Sequence, residues 1–248
     1  MIIAVFDTET ISIGKPFCYN VGYIITDTEN DNILTKKDFV VEQIWHNLPL
    51  FETAYYKEKK DIYIKRMRGK KAIMSKYGYI CQEMKRDFNK YGVEIAFAFN
   101  SGFDENVFNF NCNWYKNINP FDNIPIKDIR AFVHYFMVDD NFKAFCDKHS
   151  LFTDSGNYST TAETMYKYIT KNVDFEEEHT ALQDSLIEWE ILKECIKKGA
   201  NLQDNYIAKK SIARTQPQVL TIRTEKKDFL FNCNGYTVYK KKNLIKLK

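Results

Sequence analysis

Val5-Phe6-Asp7-Thr8-Glu9-Thr10 follows directly on an apolar run, Met1 to Phe6, and the reading of this stretch decides the fold. A run that short and rich in Ile and Val reads as a buried strand. On an extended backbone residues i and i+2 share a side, so Asp7 and Glu9 project together from the strand end. Two like charges so placed repel, and each favours protonation. A divalent cation relieves that conflict, and oxygen ligands suit Mg2+ or Mn2+. Taken alone, the pair also fits an ordinary strand end with solvated acids.

Outward from this strand, Tyr19–Thr26 and Asn32–Val41 read as second and third strands. The Asp27–Asn32 segment between them has turn chemistry, which implies a hairpin. A helix is expected to start within 43–56, and a long basic helical pattern covers 58–91 with interruptions near Gly69 and Gly78. Val93–Phe99 reads as a strand, and a helix follows from Phe103. Residues 111–125, with two Pro and several Asn, read as a loop, and Ile126–Ile129 as a short edge strand. Helices are expected at 130–137, 141–149 and 161–171, with Thr160 or Thr161 as the N-cap of the last. Phe175–Lys198 has the clearest helical signal, with Glu176, Glu177 and Glu178 suiting its positive end. Strands, then helix, strand and helices make an α/β domain with a mixed sheet, expected over 1–204. Residues 205–248 read as a small basic β appendage. Its expected strands are Val219–Thr224, Phe229–Asn232 and Tyr236–Lys240, and Asn234-Gly235 is the hairpin turn signal.

The chain has 248 residues, 28% charged and 44% hydrophobic, a globular composition. No apolar run reaches the roughly 20 residues of a membrane span, and the first residues carry no basic region of a secretory signal. Six scattered Cys without a C-x-x-C pair argue against a zinc or thioredoxin-type motif and fit free thiols in a reducing cytoplasm. The net charge of +3 hides an asymmetry: residues 206–248 hold 11 Lys/Arg against 2 Asp/Glu, and residues 57–90 hold 12 against 4. Such segments suit either a solvated face or a phosphate-binding surface.

The strand-end pattern recurs. Phe97-Ala98-Phe99-Asn100 leads into Asp104, just past the C-terminal end of an apolar strand, where α/β sheets build their sites. His179-Thr180-Ala181-Leu182-Gln183-Asp184 opens the late helix. Thr180, Asp184, Ile187 and Ile191 fall on one helical face, so a carboxylate lines up with core residues, an arrangement that a metal would compensate. Ala181 is small enough to let the helix approach the sheet. His179 lies on the approach to that helix, and neutral imidazole near pH 7 suits a general base.

These three motifs, F-D-T-E-T (6–10), F-N-S-G-F-D (99–104) and H-T-A-L-Q-D (179–184), resemble those of the DnaQ-like 3′–5′ exonucleases. The His five residues before the last Asp resembles the DEDDh branch of the DEDD superfamily; Phe99 stands where that family often has His. The resemblance covers roughly residues 1–200 and implies a ribonuclease H-like mixed β-sheet flanked by helices. It implies two Mg2+ or Mn2+ ions, with Asp7, Glu9 and Asp184 holding one, Asp7 bridging to the second and Asp104 assisting through water. Two such ions about 4 Å apart stabilise the attacking and leaving oxygens of an in-line displacement. His179 is then the catalytic base, and Thr8, Thr10, Asn100 and Phe103 border the terminal nucleotide. The implied substrate is a single-stranded DNA or RNA 3′ end, DNA slightly favoured, releasing nucleoside 5′-monophosphates. Lys240 and Lys241 in the basic tail would track phosphates further along. Competing readings are a non-catalytic nucleic-acid-binding or docking module on the same fold, and a ribonuclease H-like endonuclease.

Overall fold

A computed structural model describes residues 1–54, 56–214 and the strand segments 219–223, 228–232, 237–240 and 243–244. The chain divides into two units, one of Met1–Leu151 with Ser159–Lys210, the other of Phe152–Tyr158 with Ser211–Lys248.

The larger unit is built on a six-stranded mixed sheet. β1 (Ile2–Thr10), β2 (Cys18–Asp27) and β3 (Asn32–Val41) form an antiparallel meander. β4 (Ile73–Ser75) adds in parallel to β3, while β5 (Ile95–Ala98) pairs in parallel with β1 and β6 (Ile126–Asp128) with β5. The order is β4-β3-β2-β1-β5-β6, so β1 is central and β6 is the edge strand expected from the sequence. Central strands that are covered on both faces read as continuous apolar runs, and Ile3–Phe6 is fully buried.

Helices flank this sheet: α1 (Glu42–Trp45), α2 (Leu48–Phe51), α3 (Lys60–Arg68), α4 (Tyr77–Tyr91), α5 (Gly102–Tyr115), α6 (Ile129–Phe136), α7 (Asp140–His149), α8 (Ala162–Thr170) and α9 (Ala181–Lys197). The α/β class and the mixed sheet expected from the sequence are observed, as are the hairpin at 27–32 and the Thr161 cap, whose side chain accepts from the Thr164 amide. The core packs Phe6 against Phe108 and Phe121, with ring centroids 5.8 and 4.4 Å away. No helix among the described residues is long and apolar enough to cross a membrane.

Several boundaries differ from expectation, each for a physical reason. The helix expected in 43–56 is two short ones: Pro49 lies in the first turn of α2, and the Asn47 side chain caps that turn. The basic pattern 58–91 is split by Lys70, which is left-handed at φ 57°, and then by the unexpected strand β4. Gly78 interrupts nothing, for it lies in the first turn of α4 against the Asn117 side chain. The loop expected at 111–125 begins only after α5, because Asn111 is wholly satisfied inside the helix. It accepts from the Cys18 amide and donates to the Pro16 and Val107 carbonyls. The late helix starts at Ala181, six residues after Phe175, because Thr180 is extended and His179 is left-handed. Glu176, Glu177 and Glu178 therefore precede the helix.

The second unit holds an antiparallel meander, β7 (Val219–Arg223), β8 (Asp228–Asn232), β9 (Thr237–Lys240) and β10 (Asn243–Leu244). The segment 152–158 belongs to it, through backbone bridges of Phe152 to Tyr158 and of Tyr158 to Ile212. Lys240 ends β9; Asn234, Gly235, Lys241 and Lys242 lie outside the described residues.

Candidate active site

Strand alternation sorts the residues of β1. Phe6 and Thr8 face α5, as the Phe6–Phe108 ring contact and the Thr8–Asp104 hydrogen bond show. Asp7 and Glu9 take the other face. There β2 has been stripped of a side chain. Gly22 pairs with Asp7, and a Cβ on Gly22 would overlap the backbone of Ala181 and Leu182. The first turn of α9 thus rests directly on β2, and Ser185 donates to the Gly22 carbonyl at 3.2 Å. This close approach brings Asp184 to the strand-borne acids.

Four sequence-selected carboxylates converge. Burial pushes Asp7 well above the ordinary carboxylate range, and Asp104 and two acids of α9 push it further. Glu9 is raised likewise by burial and then by Asp184, although Tyr19 donates to it at 3.5 Å. Asp104, in the first turn of α5, is 2% exposed and pushed up to about 7 by burial, against the lowering effect of a 2.6 Å hydrogen bond from Thr8. Asp184 is pushed up to about 8 by burial, then by Glu177 and Glu178.

A group of like charges in a dry site is stable only when protonated or when facing a cation. The Asp184 Oδ1 atom decides which counterpart fits: it is buried and accepts no hydrogen bond from any of the described residues. One ligand atom each from Glu9, His179 and Asp184 lie within 4.8 Å of one another. Hard carboxylate oxygens around an orphaned acceptor fit a divalent cation such as Mg2+ or Mn2+.

His179 stands beside these acids on an irregular approach to α9. Its ring stacks on Tyr56, centroids 4.2 Å apart and planes 13° from parallel. Its Nδ1 lies 3.8 Å from a Glu177 carboxylate oxygen. Burial, and then the Lys59 charge, lower its pKa from the ordinary imidazole value, which favours the neutral ring. A cavity of about 660 Å3 opens next to Glu9 and is bordered by Thr8, Thr10, Ile13, Tyr56 and Phe103. Thr8, Thr10 and Phe103 are three of the residues expected at the terminal nucleotide. Asn100, the fourth, is exposed and left-handed, and its amide donates to Asp128 at 2.8 Å.

Sequence reasoning missed two acids. Glu188 is 3% exposed on α9, faces Asp104 and Asp184, and accepts from the Phe99 amide at 3.2 Å. Its signal was available, since it stands one helical turn from Asp184. Glu177, pushed up to about 7 by burial, carried no such signal, because its place depends on where α9 begins.

No model of a known protein family matches the sequence, and no curated protein matches it. Among solved structures, E. coli exonuclease I in complex with a dA16 oligonucleotide is similar at a TM-score of 0.47 and 15% identity. The match covers 80% of this chain and 41% of that one, so this chain spans well under half of that exonuclease. At that identity and TM-score the likeness assigns no activity here.

Proposed function

We propose that this protein is a divalent-metal-dependent 3′–5′ exonuclease acting on single-stranded nucleic acid, with DNA slightly favoured over RNA. The observation that carries the reading is the buried Asp184 Oδ1, without a hydrogen-bond partner among the described residues, set among Asp7, Glu9 and Asp104, with His179 alongside, its neutral form favoured by burial. Asp7, Glu9 and Asp184 would hold a divalent cation, with Asp104 as a further ligand to a second. When bound, such ions supply Lewis-acid stabilisation of the charge that develops at the phosphate.

The chain's own residues account for the rest. The cavity beside Glu9 receives the 3′-terminal nucleotide, with Thr8 and Thr10 offering polar groups and Phe103 and Tyr56 apolar faces. His179 accepts a proton from the water that attacks the terminal phosphodiester. Oxygen–phosphorus bond formation accompanies rupture of the bond to the 3′ oxygen of the penultimate nucleotide. That oxygen leaves, takes a proton from solvent to become the new 3′ hydroxyl, and a nucleoside 5′-monophosphate is released. Thr8 fixes the Asp104 carboxylate throughout by its hydrogen bond.

A time course on 5′-labelled single-stranded DNA and RNA of equal sequence, with Mg2+ or Mn2+, tests the reading beside Asp7→Ala. A ladder shortening from the 3′ end, abolished by EDTA and in the variant, is expected, with the DNA ladder faster. Retained binding with no shortening of either strand, or a ladder that survives EDTA, rejects it.

A further inference from the structure

His179 occupies a backbone conformation its side chain disfavours, with φ at 52°. A residue held there must be over-determined by its surroundings. Four contacts do this, and three come from one buried polar network. Asn20 on β2 is fully buried, and its Oδ1 accepts from the Ala181 amide at 2.8 Å. Tyr63 on α3 is also fully buried. Its hydroxyl lies 3.3 Å from the His179 carbonyl and 3.2 Å from Asn20 Oδ1, and it also hydrogen-bonds the Tyr19 hydroxyl. Asn20 Nδ2 donates to Asp38 at 2.7 Å, and Asp38 accepts from Arg66 Nε at 2.8 Å. The same guanidinium reaches Glu178 at 3.6 Å. Residues 178, 179 and 181 are therefore each tied to this network, and the fourth contact, Tyr56, stacks on the imidazole itself.

A single hydrogen bond here would serve only to satisfy a buried group. Convergence of three polar side chains, Asn20, Tyr63 and Arg66, on residues 178, 179 and 181 does more, because it fixes the direction in which that ring projects. We propose that Tyr63, set in place by Asn20 and the Asp38–Arg66 pair, is a positioning residue for His179. The inference rests on the exonuclease reading, in which His179 accepts the proton. Tyr63 touches neither substrate nor cation in this scheme and acts through the His179 carbonyl.

Tyr63→Phe keeps the ring and removes the hydroxyl. Its kcat is expected to fall about tenfold, part of the 10²–10⁴ that a placed general base contributes. KM and the thermal shift produced by Mg2+ or Mn2+ should stay at parent values. In a His179→Ala background the same change should alter the residual rate by less than about twofold, since the group it acts through is gone. Histidine-selective carbon NMR gives a readout besides activity. The signal lost in His179→Ala should be single in the parent and displaced or doubled in Tyr63→Phe.

A parent kcat with an unmoved His179 signal overturns the proposal. So does an equal loss in both backgrounds, or a lost cation shift, which would place the effect at Glu9 through the neighbouring Tyr19. A parent protein without 3′-end activity overturns the exonuclease reading instead. The histidine spectrum then still decides the positional claim, upheld by a displaced signal and overturned by an unmoved one.

Discussion

Two parts of the chain deliver residues to the same site by opposite means. β1 presents Asp7 and Glu9 from a strand paired antiparallel to β2, its register unbroken up to Glu9, and parallel to β5. The approach to α9 presents Glu177 and His179 from irregular chain between Lys171 and His179, both left-handed. On β1, alternation alone aims the two acids. On the approach, aim depends on side chains from β2, α3 and the 53–60 segment. Like-charged groups need rigid supports, because their repulsion would otherwise separate them. A neutral imidazole meets no such force, and a hydrogen-bonded loop can hold it.

The harshest way to break this comparison is to part the two regions. Gly22→Ala places a methyl group in the backbone of Ala181 and Leu182, where no flexible side chain can yield. Overpacking of this kind costs about 3 kcal/mol. Urea unfolding should show that loss, and the thermal shift with Mg2+ or Mn2+ should vanish because Asp184 has been moved from Glu9. A variant that keeps both would show that α9 need not touch β2.

Next in size is Asp184→Asn, which keeps the shape and removes the charge beside the orphaned oxygen. Activity should fall by about 10³-fold or more, as several kcal/mol of charge stabilisation are lost. The stabilisation by divalent cations, read from thermal unfolding, should shrink with it. His179→Ala, by contrast, should cost activity and leave most of the cation shift. Equal cation shifts in parent and Asp184→Asn would remove the metal from the site.

The same contrast separates what was legible in the sequence from what was not. Asp7 and Glu9 could be read because i and i+2 on a strand need no tertiary information. Asp184 could be read because it interrupts an apolar helical face. The short strand β4 was hidden, since three residues within a basic helical pattern gain strand geometry only from β3. α5 runs to Tyr115 because Pro16 and Cys18, far away in sequence, satisfy Asn111. The start of α9 was misplaced because the Glu run at 176–178 suits a helix locally, whereas Tyr63 and Asn20 fix a different path. Wherever long-range hydrogen bonds set the backbone, local propensity gave the wrong boundary.

Repulsion among the acids also has a pH signature. Folding raises Asp104 from 3.8 to about 7 and Asp184 from 3.8 to about 8, so the folded, metal-free protein binds more protons than the unfolded chain in that window. Their contribution to stability is fully present below 3.8 and is lost as pH rises through the folded values. In EDTA the melting temperature should therefore fall between pH 5 and pH 8, and added Mg2+ should restore more of it at pH 8. A melting temperature that rises over this range in EDTA would mean the carboxylates are already compensated within the protein.

Glu188 sharpens the comparison most finely, because it belongs to the rigid side of the site and has no assigned part in the chemistry. It is buried, and its charge faces Asp104 and Asp184. Its link to the fold is the hydrogen bond from the Phe99 amide, which a Gln carbonyl oxygen can accept equally well. Glu188→Gln thus removes a charge and keeps the bond. In EDTA the variant should melt a few degrees higher, corresponding to about 1 kcal/mol for a chain of this size. The gain should be larger at pH 8 than at pH 5, because burial raises the Glu188 carboxyl well above the ordinary range and favours its neutral form as pH falls. If the variant instead melts lower at pH 8, the Glu188 charge is answered by a cationic group, and the crowding of acids around β1 is less severe than their burial implies. If it melts higher but loses the Mg2+ shift, Glu188 joins the proposed ligands Asp7, Glu9 and Asp184, and the rigid side of the site is one residue larger.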